Sequence, residues 1–232
     1  MKFSLFLVAT SIAISLVSCK SAPDADKAKT EAPTKVEVKP QADLGTFYKV
    51  SEDSKIGFIG TKPTGQHEGY FTLKAGEIAV KENNIQGGHF AVDINSLTIT
   101  DVKDAEMNKK LAGHLLSPDF FDAAQFGIAR FVLASAAPIQ AGMPVKLAGA
   151  THTVTGNLSL KGKEQSITFP AIINITPEKL TAKADFNINR ADFGMSYGTD
   201  KSLKDKFISP EVNIKFDIVA NMDRIPTAET KH

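Results

Sequence analysis

The chain has no tryptophan and one cysteine, Cys19. One cysteine cannot close an intrachain disulfide, so a folded domain here rests on packing. Neither sign of charge is in excess: 27 basic against 26 acidic residues leave a formal net charge of +1. That balance gives no bulk electrostatic case for nucleic acid as a partner. Tyrosine is scarce, at 3, whereas phenylalanine numbers 15. Phenylalanine brings apolar area without a polar handle, which suits a core and equally a pocket for a greasy ligand. No P-loop and no dinucleotide-binding glycine turn occurs. The five histidines, His67, His89, His114, His152 and His232, show neither H-x-H nor H-E-x-x-H spacing, so no metal site and no cofactor is expected. What remains, 232 residues at 42% hydrophobic content, is enough for one well-packed domain.

The N-terminus has an export pattern. Met1-Lys2 is a short basic start, and Phe3 to Val17 is mostly apolar. This run is shorter than the ~20 apolar residues of a transmembrane helix and reads as a signal peptide over residues 1–18. Leu16-Val17-Ser18-Cys19 resembles a bacterial lipobox, which implies cleavage before Cys19 and lipidation of that residue. Acyl chains there would anchor the protein to a membrane at about 0.8 kcal/mol per buried CH₂. Ser21 to Asp43, rich in Ala, Pro, Lys and acidic residues, has no apolar period. Residues 19–45 are therefore expected to be the lipidated cysteine followed by a solvated tether. Lys20 is not the aspartate that retains some bacterial lipoproteins at the inner membrane. The expected location is the bacterial cell envelope, on the outer membrane facing the periplasm, with surface exposure as the alternative.

From Phe47 the pattern has period two. Phe90, Val92 and Ile94 alternate with His89, Ala91 and Asp93; Val154, Gly156, Leu158 and Leu160 alternate with Thr153, Thr155, Asn157 and Ser159. The same alternation runs through Ile167 to Ile175, Ala182 to Ile188 and Val212 to Ile218. Each such strand has one dry and one wet face. Antiparallel strands of this kind close into a barrel or stack as a sandwich. One segment differs. Asp104 to Asp122 carries Met107, Leu111 and Leu115 at helical spacing, then Pro118, which stops a helix, then Phe120-Phe121. It reads as a lid on the β-structure, with this stripe packed on its mouth. His114 falls where a basic group favours the exposed carbonyls of the helix end.

Three stretches carry a family resemblance: Gly113-His114-Leu115-Leu116-Ser117-Pro118-Asp119-Phe120-Phe121-Asp122; Val154-Thr155-Gly156-Asn157-Leu158-Ser159-Leu160-Lys161-Gly162 with Ile167-Thr168-Phe169-Pro170; and Ile188-Asn189-Arg190-Ala191-Asp192-Phe193-Gly194-Met195. In this order and spacing the chain resembles the YceI-like family of bacterial exported proteins over residues 46–222, followed by a C-terminal tail at 223–232. The resemblance implies an all-β fold, an antiparallel eight-stranded lipocalin-like barrel with one helix or lid segment, that binds a long polyisoprenoid lipid and has no established catalysis.

The apolar interior candidates are Phe58, Phe71, Phe90, Leu111, Leu115, Phe120, Phe121, Phe131, Phe169, Phe186, Phe193 and Phe216. Sequence does not separate core-filling from pocket-lining among them, because an eight-stranded barrel is either filled or holds one small ligand. His114, Arg190 and Asp192 are candidate polar contacts. Arg190 and Asp192, two apart in strand-like sequence, are expected to form a structural ion pair. The leading reading is a membrane-anchored binder or carrier of a hydrophobic lipid, a polyisoprenoid or isoprenoid quinone, with a homodimer left open. A filled barrel acting as an interaction or stress-response scaffold is the alternative. An enzyme using the histidines or Arg190 and Asp192 would need those residues gathered in one cleft, and no catalytic residue is expected.

Overall fold

The computed structural model describes residues 21–37 and 39–223. The expected signal peptide, Cys19 and nearly all of the C-terminal tail lie outside the described residues. The main strands are β3 (Thr46–Val50), β4 (Lys55–Lys62), β5 (Gly65–Lys81), β6 (Asn84–Ile99), β7 (Ile128–Pro138), β8 (His152–Leu160), β9 (Lys163–Ile175), β10 (Lys179–Asn189) and β11 (Glu211–Met222). Two short strands, β1 (Asp26–Lys27) and β2 (Lys29–Glu31), precede them, with a four-residue helix α1 (Gln41–Leu44). The main helix, α2, spans Ala105–Leu116.

Strands β5 to β11 pair antiparallel in chain order. Strands β3 and β4 share the remaining position, each pairing with both β11 and β5. The barrel is therefore closed, with eight positions around its wall. The dry face of each strand points inward, and the residues of the alternation pattern form the core: Val154, Leu160, Ile167, Phe169, Phe186 and Ile188 are all buried. Strand β5 runs 17 residues without a break, where the sequence suggests two strands. Bulges against β6 at Tyr70/Thr72 and Leu73/Ala75 absorb the interruption.

The β8–β9 turn places Lys161 and Gly162 at positive φ, 49° and 71°. A Cβ on Gly162 would lie 2.6 Å from a ring carbon of Phe126. Gly162→Ala is expected to cost about 1–3 kcal/mol in urea unfolding, through strain and the clash together. A loss below ~0.3 kcal/mol would contradict the account of this turn.

The N-terminal segment corrects an expectation. Part of the stretch read as a free tether lies in the barrel wall. Strands β9 and β10 pair over only four residue pairs, from Leu180↔Ile175 to Lys183↔Ile172, and then separate. The first described segment occupies the split. Strand β1 runs parallel to β10 at Phe186 and Asn187, and β2 runs antiparallel to β9 at Ser166 to Thr168. Asn187 donates to the Pro23 carbonyl at 2.9 Å. Farther along, Asn157 both accepts from the Thr34 N–H (2.9 Å) and donates to its carbonyl (2.8 Å). Composition gave no signal for this because the segment pairs through backbone groups, which its polar side chains do not prevent.

Helix α2 joins β6 to β7 across one end of the barrel. Asp104 caps it, accepting from the Met107 N–H at 2.9 Å. Asn108 pins its first turn to the carbonyls of Ile99 and Val102. The helix ends at Leu116, and Ser117 donates to the His114 carbonyl through both its backbone and its hydroxyl. The β8–β9 turn reaches the same end, with Lys161 Nζ on the Pro118 carbonyl at 2.7 Å. Among the described residues no helix is long and apolar enough to cross a membrane.

A lidded apolar cavity in the barrel

The interior of the barrel is not filled. It holds a cavity of about 430 Å³. That lies within the 300–1,000 Å³ typical of small-molecule sites. Phe58, Phe71, Phe90, Phe131, Phe169, Phe186 and Phe216 line it, with aliphatic neighbours such as Ile94, Leu133, Val154, Ile173 and Ile214. The phenyl rings form two connected groups. Phe169 and Phe186 stack at 4.1 Å between centroids, and Phe216 meets both edge-on. Phe131 continues this group from Phe169 to Phe90 at about 6 Å per step. Phe58 and Phe71 pair at 5.5 Å, and Phe121 meets Phe71 edge-on at 5.2 Å. Such geometries add ~0.5–1.5 kcal/mol per pair beyond burial and fix the shape of the wall.

Helix α2 covers the mouth with Leu111 and Leu115, and the following loop adds Phe120 and Phe121; all four line the cavity. No residue of the helix itself is fully buried, so the lid is seated lightly. Met107 departs from the expected stripe: it is 58% exposed and does not reach the cavity. The apolar stripe that reaches the cavity begins one turn later than its spacing suggests, at Leu111. Phe193 also departs from expectation. It is fully buried in the main core cluster, in the turn after β10, but lines no part of the cavity.

The polar candidates separate. Arg190 and Asp192 do not form an ion pair, because the chain leaves strand geometry there and makes a 3₁₀ turn over Arg190–Phe193. Asp192 instead accepts from the Asn189 side chain at 3.0 Å, away from the cavity. Arg190 is 3% exposed. Its guanidinium donates to four backbone carbonyls: Ser209 (3.0 Å), Met195 (2.5 Å), Tyr197 (2.8 Å) and Ile208 (3.0 Å). Its charged group lies 5.4 Å from the Phe120 ring centre. Burial pulls its pKa down to about 10, so it stays charged at neutral pH. Its planar fork suits this work, since a guanidinium offers five donors in fixed directions. It binds the loop over residues 195–209 to the end of β10 and so frames the mouth.

Two imidazole–carboxylate pairs flank the opening. His114 Nε2 lies 3.1 Å from Asp119 Oδ2, and its ring meets Phe120 and Tyr197 edge-on. His67 Nδ1 lies 2.8 Å from Asp101 Oδ2, a pair with no sequence signal because the two residues are on different strands' ends. Burial raises the Asp101 carboxyl, but hydrogen bonds from the Glu68 N–H and the His67 ring outweigh it and hold the group below its ordinary value. Stability from Asp101 is therefore present above the unfolded carboxylate pKa of about 3.9 and lost as pH falls through the lower folded value. Asp101→Asn should destabilise the protein at pH 7, with the gap from the parent shrinking below about pH 4. Equal gaps at pH 7 and pH 3, measured by chemical denaturation, would contradict this assignment.

Although His67, His114 and Arg190 all line the cavity, each is committed to the partners named. Neither imidazole hydrogen-bonds a hydroxyl or thiol among the described residues. Gly194-Met195-Ser196-Tyr197-Gly198 has the G-x-S-x-G spacing of a nucleophile elbow, but it follows a 3₁₀ turn in a loop rather than joining a strand to a helix, and Ser196 is exposed. No group of three or more histidine, cysteine or carboxylate ligands that could hold a metal occurs among the described residues.

A closed antiparallel barrel around a lidded apolar cavity defines a lipocalin-like binding barrel. The domain matches the YceI-like domain over residues 48–220, and the chain belongs to the YceI-like family. Among solved structures it is similar to BcnA of Burkholderia cenocepacia, at 25% identity and a TM-score of 0.54, covering 72% of this chain and 96% of that one. It is also similar to a polyisoprenoid binding domain from Saccharophagus degradans implicated in plant cell wall breakdown, at 16% identity and a TM-score of 0.57, covering 77% and 99%. No curated protein matches.

Proposed function

We propose that this protein binds and carries a long hydrophobic lipid, a polyisoprenoid or an isoprenoid quinone, inside its barrel. The observation that carries the reading is the 430 Å³ cavity walled by phenyl and aliphatic groups. A filled scaffold would have no such space. Apolar burial supplies affinity at about 25 cal/mol per Å² removed from water, and a prenyl chain is almost all apolar surface. The reading is also favoured by kinship with a domain described as polyisoprenoid binding. Binding rather than catalysis is assigned because the mouth's imidazoles and guanidinium are held by structural partners. Titration of the purified protein with geranylgeraniol, followed by displacement of an apolar dye, is expected to show saturable 1:1 binding. Absence of displacement up to the solubility limit would overturn the proposal.

The same reading places the protein on the bacterial outer membrane, facing the periplasm, anchored through acylated Cys19. The lipobox-like Leu16-Val17-Ser18-Cys19 supports it. Cys19→Ser should move the protein from the membrane to the soluble fraction and abolish labelling by radioactive palmitate. Retention of both would refute the anchor.

A further inference from the structure

The split between β9 and β10 is a second opening in the wall, and residues 23–34 are what closes it. The two strands hydrogen-bond only from Ile172 to Ile175 and from Leu180 to Lys183. Beyond that point their backbones face the N-terminal segment instead of each other. The residues in register with this strap include Phe186, opposite Asp26, and Ile167, opposite Thr30. Both line the cavity. The strap thus backs the cavity wall on the side where β9 and β10 part toward the mouth, although no strap residue itself lines the cavity.

Its strands are the shortest in the barrel. The paired segments are two and three residues long, against 8–17 for the strands β4 to β11. Lys29 and Glu31 are exposed, and the strap contributes to the core only through small residues, Ala25 and half-buried Ala28. The fixed points are polar: Asn187 to Pro23, Lys146 to Asp24, the Lys146 and Leu147 N–H groups to the Asp26 carboxylate, Lys27 to Glu211, and Asn157 and Ser166 to Thr34. Short edge elements with few apolar contacts open at a small fraction of the global unfolding free energy. On the inner side the stacked rings of Phe169 and Phe186 bridge the seam. By continuing the β9–β10 register, these two positions would be backbone partners. The rings hold that pairing where the backbones have parted.

We propose that this seam is a lateral portal for the lipid, and that the strap is a displaceable wall strand that gates it. Displacing residues 23–34 and parting the stacked rings opens the cavity from the side, beyond the paired Ile172–Ile175 and Leu180–Lys183 segment. A long flexible chain enters a slot sideways without being threaded end-on past α2. The inference rests on the lipid-binding reading and adds a route to it.

Crosslinking tests the gate. Lys29 and Thr168 are directly opposed in an antiparallel pair. Opposed residues of an antiparallel pair have Cα atoms about 4.5–5.5 Å apart, within the ~4.4–6.8 Å span of a disulfide. The full chain carrying Cys19→Ser, Lys29→Cys and Thr168→Cys is compared oxidised and reduced. Transfer of geranylgeraniol from phosphatidylcholine vesicles is followed by displacement of prebound N-phenyl-1-naphthylamine. Oxidation is expected to slow transfer at least tenfold while leaving equilibrium affinity within twofold. In the parent background, Asn157→Ala, which removes both bonds to Thr34, is expected to speed transfer at least threefold. Equal rates in the oxidised and reduced forms, or no acceleration in Asn157→Ala, overturn the portal while the lipid reading stands. If no form binds geranylgeraniol at equilibrium, the lipid reading itself fails and the portal with it.

Discussion

Replacing Arg190 with alanine is expected to be the most damaging single change in the domain. It removes the donor from four carbonyls at once, those of Met195, Tyr197, Ile208 and Ser209. Each buried acceptor left unsatisfied costs about 1–3 kcal/mol, although relaxation and water entry recover part of the sum. The expected net loss is about 3–4 kcal/mol, or a fall of roughly 10 °C in melting temperature for a domain of this size. Arg190→Lys should recover little, because an ammonium has three donors and no planar fork. Thermal unfolding followed by circular dichroism measures this. A loss below ~1 kcal/mol would show that the carbonyls find other partners and that the loop does not depend on the guanidinium.

The second large effect is on binding. Ala136 and Ala182 both line the cavity and are half-buried. Converting each to phenylalanine puts two rings into the cavity. Displacing about 80 Å² of ligand contact at ~25 cal/mol per Å² removes about 2 kcal/mol, a roughly 30-fold loss of affinity for geranylgeraniol. Overpacking a filled core costs ~1–3 kcal/mol, so rings entering empty space should leave the melting temperature nearly unchanged. Affinity unchanged in a folded double variant would mean the ligand lies elsewhere. The opposite arm uses the lid: Leu111→Asp with Leu115→Asp removes the apolar cover and should shorten ligand residence, since both side chains line the mouth.

These two experiments fall on features of unequal legibility. The inward face of each strand can be read from the chain because period-two alternation is a side-chain property. Phe58, Phe71, Phe90, Phe131, Phe169, Phe186 and Phe216 are placed on that face by counting, and the closed wall puts them around one space. What counting does not give is whether the space is full, because that depends on the barrel's circumference. Arg190 illustrates a different limit. Its partners are backbone carbonyls, which have no residue-type signature, so its spacing to Asp192 suggests a carboxylate partner that the 3₁₀ turn takes away. Phe193 fails for the same reason, since the turn carries it outside the strand's alternation. The strap over residues 23–34 is illegible on composition alone. A two- or three-residue strand is fixed by the unpaired edges it meets, and those belong to β9 and β10, more than 130 residues later in the chain.

The cavity is proposed to hold an isoprenoid lipid. The direct measurement is mass spectrometry of an organic extract from the protein purified without detergent from its native envelope. A long-chain isoprenoid is expected at near-stoichiometric yield from the parent, and at least tenfold less from the Ala136→Phe, Ala182→Phe variant. Equal lipid from both proteins, or repeated absence of any isoprenoid from the parent together with no binding on titration, would contradict it.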